Sequence, residues 1–169
     1  MDNLIEITNN IRRSVLQMNH RANASHSGSA LSIVELLTVL YFKYLNIDPK
    51  QPTIDSRDRF ILSKGHASSA LYATLAERGF FSKSYLDKFY IDNGILPGHV
   101  DKDAAPGLES AAGSLGHGLS IGVGMAIAAK YKKSQSKTVI MISDGELNEG
   151  SIWEAILFAP HLNLSNLTV

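Results

Sequence analysis

Four of the six histidines in this 169-residue chain sit beside or near glycine in turn-rich sequence. His26 stands just before Gly28, His66 follows Gly65, His99 follows Gly98, and His117 lies between Gly116 and Gly118. Imidazoles on glycine-bounded turns can face a ligand and move protons near neutral pH. One such histidine is as readily a solvated turn residue; four together point to a site. Zinc is the obvious competitor, but no pair has His-x3-His spacing and the chain has no cysteine.

Most of the 13 glycines fall between Gly94 and Gly124, where backbone must turn sharply or approach something closely. Phosphate is the first ligand to test. The Gly113 to Gly118 stretch lacks the Lys of a P-loop, and neither Gly116 and Gly118 nor Gly122 and Gly124 completes a dinucleotide fingerprint. A glycine turn feeding a helix N-terminus survives, whose unpaired N–H groups suit a phosphate without a lysine. Close helix packing through Gly118, Gly122 and Gly124 is the structural alternative. Asp144-Gly145 follows an apolar run, and a hard carboxylate at the carboxyl end of a parallel strand is a natural Mg²⁺ or Ca²⁺ ligand. An ordinary Asp-Gly turn explains the same pair. Glu149 can cap the next helix or reach a partner.

The elements that must position these residues follow from periodicity. Leu4, Ile7, Ile11, Val15 and Met18 form one stripe of an amphipathic helix. Ser32 and Glu35 have capping-box spacing and predict a second helix from Ser32, with Ile33, Leu36, Leu37, Leu40, Tyr44 and Leu45 as its buried face. Residues 59–63 read as a buried strand, 67–78 as a helix ended by Gly79, and 82–90 as a further short helix. Residues 92–113 form a long turn-rich connection of the kind that usually belongs to a site. A helix of small residues then runs to about Lys132, 139–143 is a strand, 149–158 a helix, and 166–169 the start of a last strand. Strands separated by helices imply an α/β fold: an open, mostly parallel sheet with helices on both faces.

Composition narrows the function. With 16 basic against 16 acidic residues and 44% apolar residues, there is no electrostatic footprint for nucleic acid or an anionic membrane. A chain of this size buries roughly 70% of the surface its unfolded form exposes, so one core needs no disulfide. The first residues do not read as a signal peptide, and no apolar stretch approaches the roughly 18 residues that span a bilayer. Lack of cysteine suits a reducing compartment, so the cytoplasm is the expectation.

Ser25-His26-Ser27-Gly28, Ser63-Lys64-Gly65-His66-Ala67-Ser68, Leu96-Pro97-Gly98-His99, Gly113-Ser114-Leu115-Gly116-His117-Gly118 and Ser143-Asp144-Gly145-Glu146-Leu147-Asn148-Glu149-Gly150 occur in the order and spacing of the transketolase N-terminal, diphosphate-binding domain. The chain resembles that family over nearly its whole length. Lys64 and His117 look most like versions in which transketolase is split into N- and C-terminal polypeptides. The resemblance implies a thiamine-diphosphate and Mg²⁺-dependent transferase that moves a two-carbon ketol unit between sugar phosphates, the cofactor serving as electron sink. Carried over residue by residue, it implies that His66 and the Gly113-Ser114-Leu115 backbone contact the cofactor, that Asp144 binds the metal, and that Gly145 binds the diphosphate. His26 and His99, with His66, would act on substrate hydroxyls and protons. Glu149 would join the cofactor site to the partner subunit, in the family's network of paired active sites.

The same resemblance sets expectations about what the 1–169 segment lacks. The family's diphosphate motif ends at an Asn metal ligand that would fall beyond Val169, and Mg²⁺ held by one carboxylate and diphosphate oxygens would be weakly bound. The pyrimidine-binding and C-terminal domains are not in this sequence. A C-terminal partner chain in a homo- or hetero-oligomer is therefore expected, and the isolated chain is expected to be inactive. A non-catalytic remnant with a binding or assembly role is the alternative, as is a relative that uses the cofactor for another ketol or acyl transfer. The sheet edge near Leu164 and Leu167 is expected to be uncovered and to promote association.

Overall fold

A computed structural model describes residues 3–169. The first helix, α1 (Leu4–Arg21), is capped by Asn3, whose side chain accepts from the Glu6 N–H at 3.3 Å. Its stripe buries Ile11, Val15 and Met18. Two short helices follow, α2 (Ser27–Leu31) and α3 (Val34–Val39), and α3 runs into a wide turn over Leu40–Tyr44. There the Leu45 N–H reaches back five residues to the Leu40 carbonyl at 2.8 Å.

This stretch departs from the expected helix. Ser32 does not cap: its hydroxyl donates to the Ser29 carbonyl at 2.9 Å, and Glu35 pairs with Arg12 on α1. The chain breaks at Ile33, and the wide turn shifts the buried face. Val34, Leu37 and Tyr41 are buried, while Leu36 and Tyr44 are exposed. A local carbonyl took Ser32 and the distant Arg12 took Glu35, so the capping pattern had nothing left to build with.

Three parallel strands form the sheet in the order β1 (Arg59–Leu62), β2 (Thr138–Met141), β3 (Leu167–Thr168). Arg59 pairs with Thr138 and Leu62 with Met141; Thr138 pairs with Leu167. Alternation splits the strand side chains between two faces. Phe60, Leu62 and Val139 pack on α1, α3 and α4 (Ser68–Arg78), while Ile61 and Ile140 pack on α5 (Gly118–Tyr131) and α6 (Gly150–His161). Helices therefore cover both faces of the sheet. Helix α4 is buried from Ser68 to Ala76 and ends at Gly79 with φ +95°. Fully burying a side chain such as its Leu75 is worth about 1.5–3 kcal/mol.

Only one of the expected small-residue contacts fails. A Cβ on Gly118 would overlap the Ser63 side chain and one on Gly122 the Ile140 side chain, but Gly124 faces open space. The 82–90 segment is a 3-10 turn over Lys83–Lys88 rather than an α-helix, started by Ser82 accepting from the Ser84 N–H at 3.3 Å. Leu164 is buried and Leu167 half-buried, beside an apolar groove of about 590 Å³ that leaves Val169 exposed. Among the described residues no helix is long and apolar enough to cross a membrane.

Candidate active site

The carboxyl end of β1 leads through Ser63 and Lys64 into a 3-10 turn, Gly65–Ala67, that holds His66 at the mouth of the sheet. The 92–113 connection folds back onto this turn. The Val100 N–H donates to the Gly65 carbonyl at 3.3 Å and the Ala112 N–H to the Val100 carbonyl at 2.9 Å. From α4, the Ser68 hydroxyl donates to the Gly98 carbonyl at 2.7 Å and the Tyr72 hydroxyl to the His99 carbonyl at 3.1 Å. Burial pushes the Tyr72 phenol above its ordinary range, so it remains a donor. The loop that carries His99 is thus bolted to two buried elements.

His26, at the start of α2, completes a trio. Its ring centroid lies 5.1 Å from that of His66 and 5.8 Å from that of His99. The three imidazoles surround a small recess of about 40 Å³. His26 and His99 are exposed; His66 is half-buried. Gly113 lies against His99, within 3.6 Å of its ring for any added Cβ, so the glycine turn and the histidine trio are continuous. A larger cavity of about 470 Å³ is lined by His99, Asp101, Gly113, Ser114 and His117. Leu115 is half-buried and its carbonyl accepts from His117 Nδ1 at 3.1 Å, which ties the His117 ring to its own loop.

Beneath His66 lies a relay that its sequence neighbours did not announce. Lys64 is buried, and its ammonium donates to the Ser29 carbonyl at 3.0 Å, to Ser29 Oγ at 3.2 Å and to Ser32 Oγ at 3.2 Å. All three of its protons are spent inside the protein. The Ser29 hydroxyl, accepting from Lys64, also hydrogen-bonds His66 Nε2, 2.9 Å away. Burial, then the charges of His26, Lys64 and His99, hold the His66 pKa below its ordinary value against the opposing pull of Glu146. Burial likewise lowers the Lys64 pKa, opposed by Asp144 and Glu146. His66 is therefore a neutral imidazole near pH 7.

Asp144 and Gly145 stand at the carboxyl end of β2, both exposed. Asp144 opens the 3-10 turn Gly145–Asn148, and a Cβ on Gly145 would meet nothing closer than Ser143 Oγ at 3.9 Å, so this edge is open to a ligand. Among the described residues no three His, Asp or Glu side chains cluster to hold a metal. Glu149 precedes α6 without capping it and is exposed.

The bare helix N-terminus expected at 113–118 is not bare. The Gly116 N–H donates to Glu146 at 2.9 Å and the Gly118 N–H to Ser63 Oγ at 3.1 Å. The Glu146 carboxylate is fully buried, and sequence reasoning passed over it because an acidic residue in an Asp-Gly-Glu turn looks solvated. Ser29 escaped notice for the same reason, being one serine among several.

An open parallel sheet with a glycine turn, a free carboxylate and an imidazole trio at its carboxyl end defines a cofactor-binding α/β domain. The family model described as "Transketolase, thiamine diphosphate binding domain" matches residues 4–169, and the chain belongs to that family. It is 45% identical over 160 residues to one subunit of the apulose-4-phosphate transketolase of Actinobacillus succinogenes, covering 94% of this chain and 58% of that protein. It is 42% identical to a 6-deoxy-6-sulfo-D-fructose transketolase subunit of Clostridium sp., covering 94% of this chain and 58% of that one. The chain thus spans little more than half the length of these relatives. Among solved structures, a transketolase from Pichia stipitis superposes with a TM-score of 0.92 at 33% identity, covering 99% of this chain and 26% of that one.

Proposed function

We propose that this chain carries the diphosphate-binding side of a transketolase assembled from two kinds of polypeptide, which transfers a two-carbon ketol unit between sugar phosphates. A partner chain would supply the pyrimidine-binding domain. The observation that carries the reading is the continuity of His26, His66 and His99 with the glycine turn at Gly113, at the mouth of a sheet whose other strand ends in Asp144-Gly145. Support for a split enzyme comes from relatives that are named as single subunits of apulose-4-phosphate transketolases.

The residues present fit thiamine diphosphate. Bound thiamine diphosphate supplies the carbon nucleophile and the electron sink for ketol transfer. The Gly113-Ser114-Leu115 backbone and His66 would contact it, and the open backbone at Gly145 would take the diphosphate. Asp144 offers one hard oxygen ligand for a Mg²⁺ ion that would accompany the diphosphate and offset its charge. His66, held below its ordinary pKa, can donate one hydrogen bond as a neutral imidazole without adding charge. His26 and His99 are exposed imidazoles able to take or give a proton at substrate hydroxyls. Glu149, exposed ahead of α6, is placed to meet the partner subunit.

The test is reconstitution. The natural polypeptide carrying this sequence, mixed with its partner chain, should bind thiamine diphosphate with Mg²⁺ and transfer ketol units from a ketose donor to an aldose. Each chain alone should not. Full turnover by this chain alone refutes the need for a partner, and absence of cofactor binding by the pair refutes the reading.

A further inference from the structure

The Glu146 carboxylate is completely buried, and among the described residues no lysine, arginine or histidine reaches it at ion-pair distance. At contact distance its compensation comes from hydrogen bonds. Oε1 accepts from the Ser63 hydroxyl and from the Gly116 N–H at 2.9 Å; Oε2 accepts from the Ser143 N–H at 2.9 Å. The Ser63 hydroxyl in turn accepts from the Gly118 N–H at 3.1 Å. These donors belong to three separate segments: the end of β1 leading to His66, the turn that opens α5, and the end of β2 leading to Asp144.

We propose that Glu146 is a positioning residue for the diphosphate of the cofactor: its carboxylate is a resident anion at the N-terminus of α5. It ties the three loops into one floor and closes the Gly116 and Gly118 N–H groups to phosphate. The inference rests on the cofactor reading above. A helix N-terminus attracts an anion; here the carboxylate takes the Gly116 N–H directly and is linked through the Ser63 hydroxyl to the Gly118 N–H that starts α5. The diphosphate is thereby directed to the open edge at Asp144 and Gly145. Because Glu146 has no exposed surface, it acts through these backbones rather than by touching the ligand.

The chemistry of the carboxylate is specific. A glutamine keeps one acceptor oxygen and turns an NH₂ donor toward either the Gly116 or the Ser143 N–H, so one loop must be released. An aspartate falls one methylene short of both.

The assembled enzyme, made of the full-length chain together with its partner, is titrated with thiamine diphosphate and Mg²⁺ by calorimetry, and Tm is recorded in parallel. Glu146→Gln should weaken cofactor affinity about 10–100-fold, the range for partners that orient a binding site from behind. Any fall in kcat at saturating cofactor should be smaller than the fall in affinity. Ile11→Val, which trims the buried core of α1, should lower Tm without weakening the cofactor. If Glu146→Gln lowers Tm and binds with parental affinity, the residue is only structural and the proposal fails. It fails equally if affinity is kept and kcat collapses. Should Glu146→Gln not assemble, Ser63→Ala removes the link to Gly118 and should weaken binding by a smaller factor; parental affinity there overturns the proposal. A parent enzyme that binds no thiamine diphosphate overturns the cofactor reading itself, a result separate from any variant.

Discussion

The amino end of the sheet buries and pairs its charged side chains, whereas the carboxyl end, above the buried Lys64 and Glu146, leaves others open. At the amino end, the side chains of the buried Arg57 and the half-buried Glu109 are tucked in and paired, and Arg57 also donates to the Pro52 carbonyl at 2.5 Å and to the Asp58 carbonyl at 3.2 Å. The buried Asp58 carboxylate accepts from the Asn46 N–H at 2.8 Å and the Lys137 N–H at 2.7 Å. At the carboxyl end, His26, His99 and Asp144 are exposed, and among the described residues none of them forms an ion pair. Polar groups that are fully partnered lock a fold and have nothing left to offer a ligand. Those left open toward solvent cost little stability and can do chemistry. The 92–113 connection spans both regimes, with Glu109 anchored at the amino end and His99 presented at the other.

The contrast breaks most sharply at Glu109. Glu109→Ala leaves the buried Arg57 guanidinium unpaired and should cost about 3–5 kcal/mol in urea unfolding. Cofactor affinity of the protein that stays folded should not change. A loss below about 1 kcal/mol would mean that water reaches Arg57 and that the two ends differ less than their burial indicates. His99→Ala is the converse. Its unfolding free energy should move by no more than about 0.5 kcal/mol, while ketol transfer by the assembled enzyme falls about 100-fold or more. Unchanged turnover would remove His99 from the proton chemistry.

A finer test is pH. His66 has a folded pKa below its unfolded value of 6.5, first from burial and then from the charges around it. The unfolded chain therefore binds more protons in that window. Stability is fully present above 6.5 and is lost as pH falls from 6.5 toward the lower folded value. Urea unfolding from about pH 8 to 5 should show this slope, and His66→Asn should flatten it. An identical slope in both would assign the effect elsewhere. The smallest change is expected when Arg57→Met is combined with Glu109→Leu. Replacing a buried ion pair by apolar side chains is often close to neutral, so stability should return to near the parental value.

Much of the element order was legible in the sequence because hydrophobic period is a local property. The stripe of α1, the apolar run of β2 and the glycine stop of α4 all stand where periodicity and turn chemistry put them. The helix expected from Ser32 failed for a physical reason. Ser32 and Glu35 have the spacing of a cap, yet Lys64 and the Ser29 carbonyl hold Ser32, and Arg12 holds Glu35. A capping box forms only if no stronger partner competes, and competitors far along the chain are invisible locally. The candidate site divides in the same manner. His26, His66, His99 and Asp144-Gly145 declared themselves by residue type beside glycine. Ser29, Lys64 and Glu146 did not, because their roles consist of contacts.

The sequence by itself determined the α/β class, the parallel strands, the absence of cysteine chemistry, and the motifs that mark the family. Those depend on side-chain type and on spacing within a few residues. Only the tertiary structure decided that three histidines from distant turns meet around one recess, and that Lys64 spends its protons on Ser29 and Ser32. It alone also showed that the Gly116 N–H of the glycine turn is already taken by Glu146, across separations of 83 residues to Ser63 and 30 to Gly116. A buried carboxylate finds whichever donors the fold brings to it, and desolvation makes that choice binding.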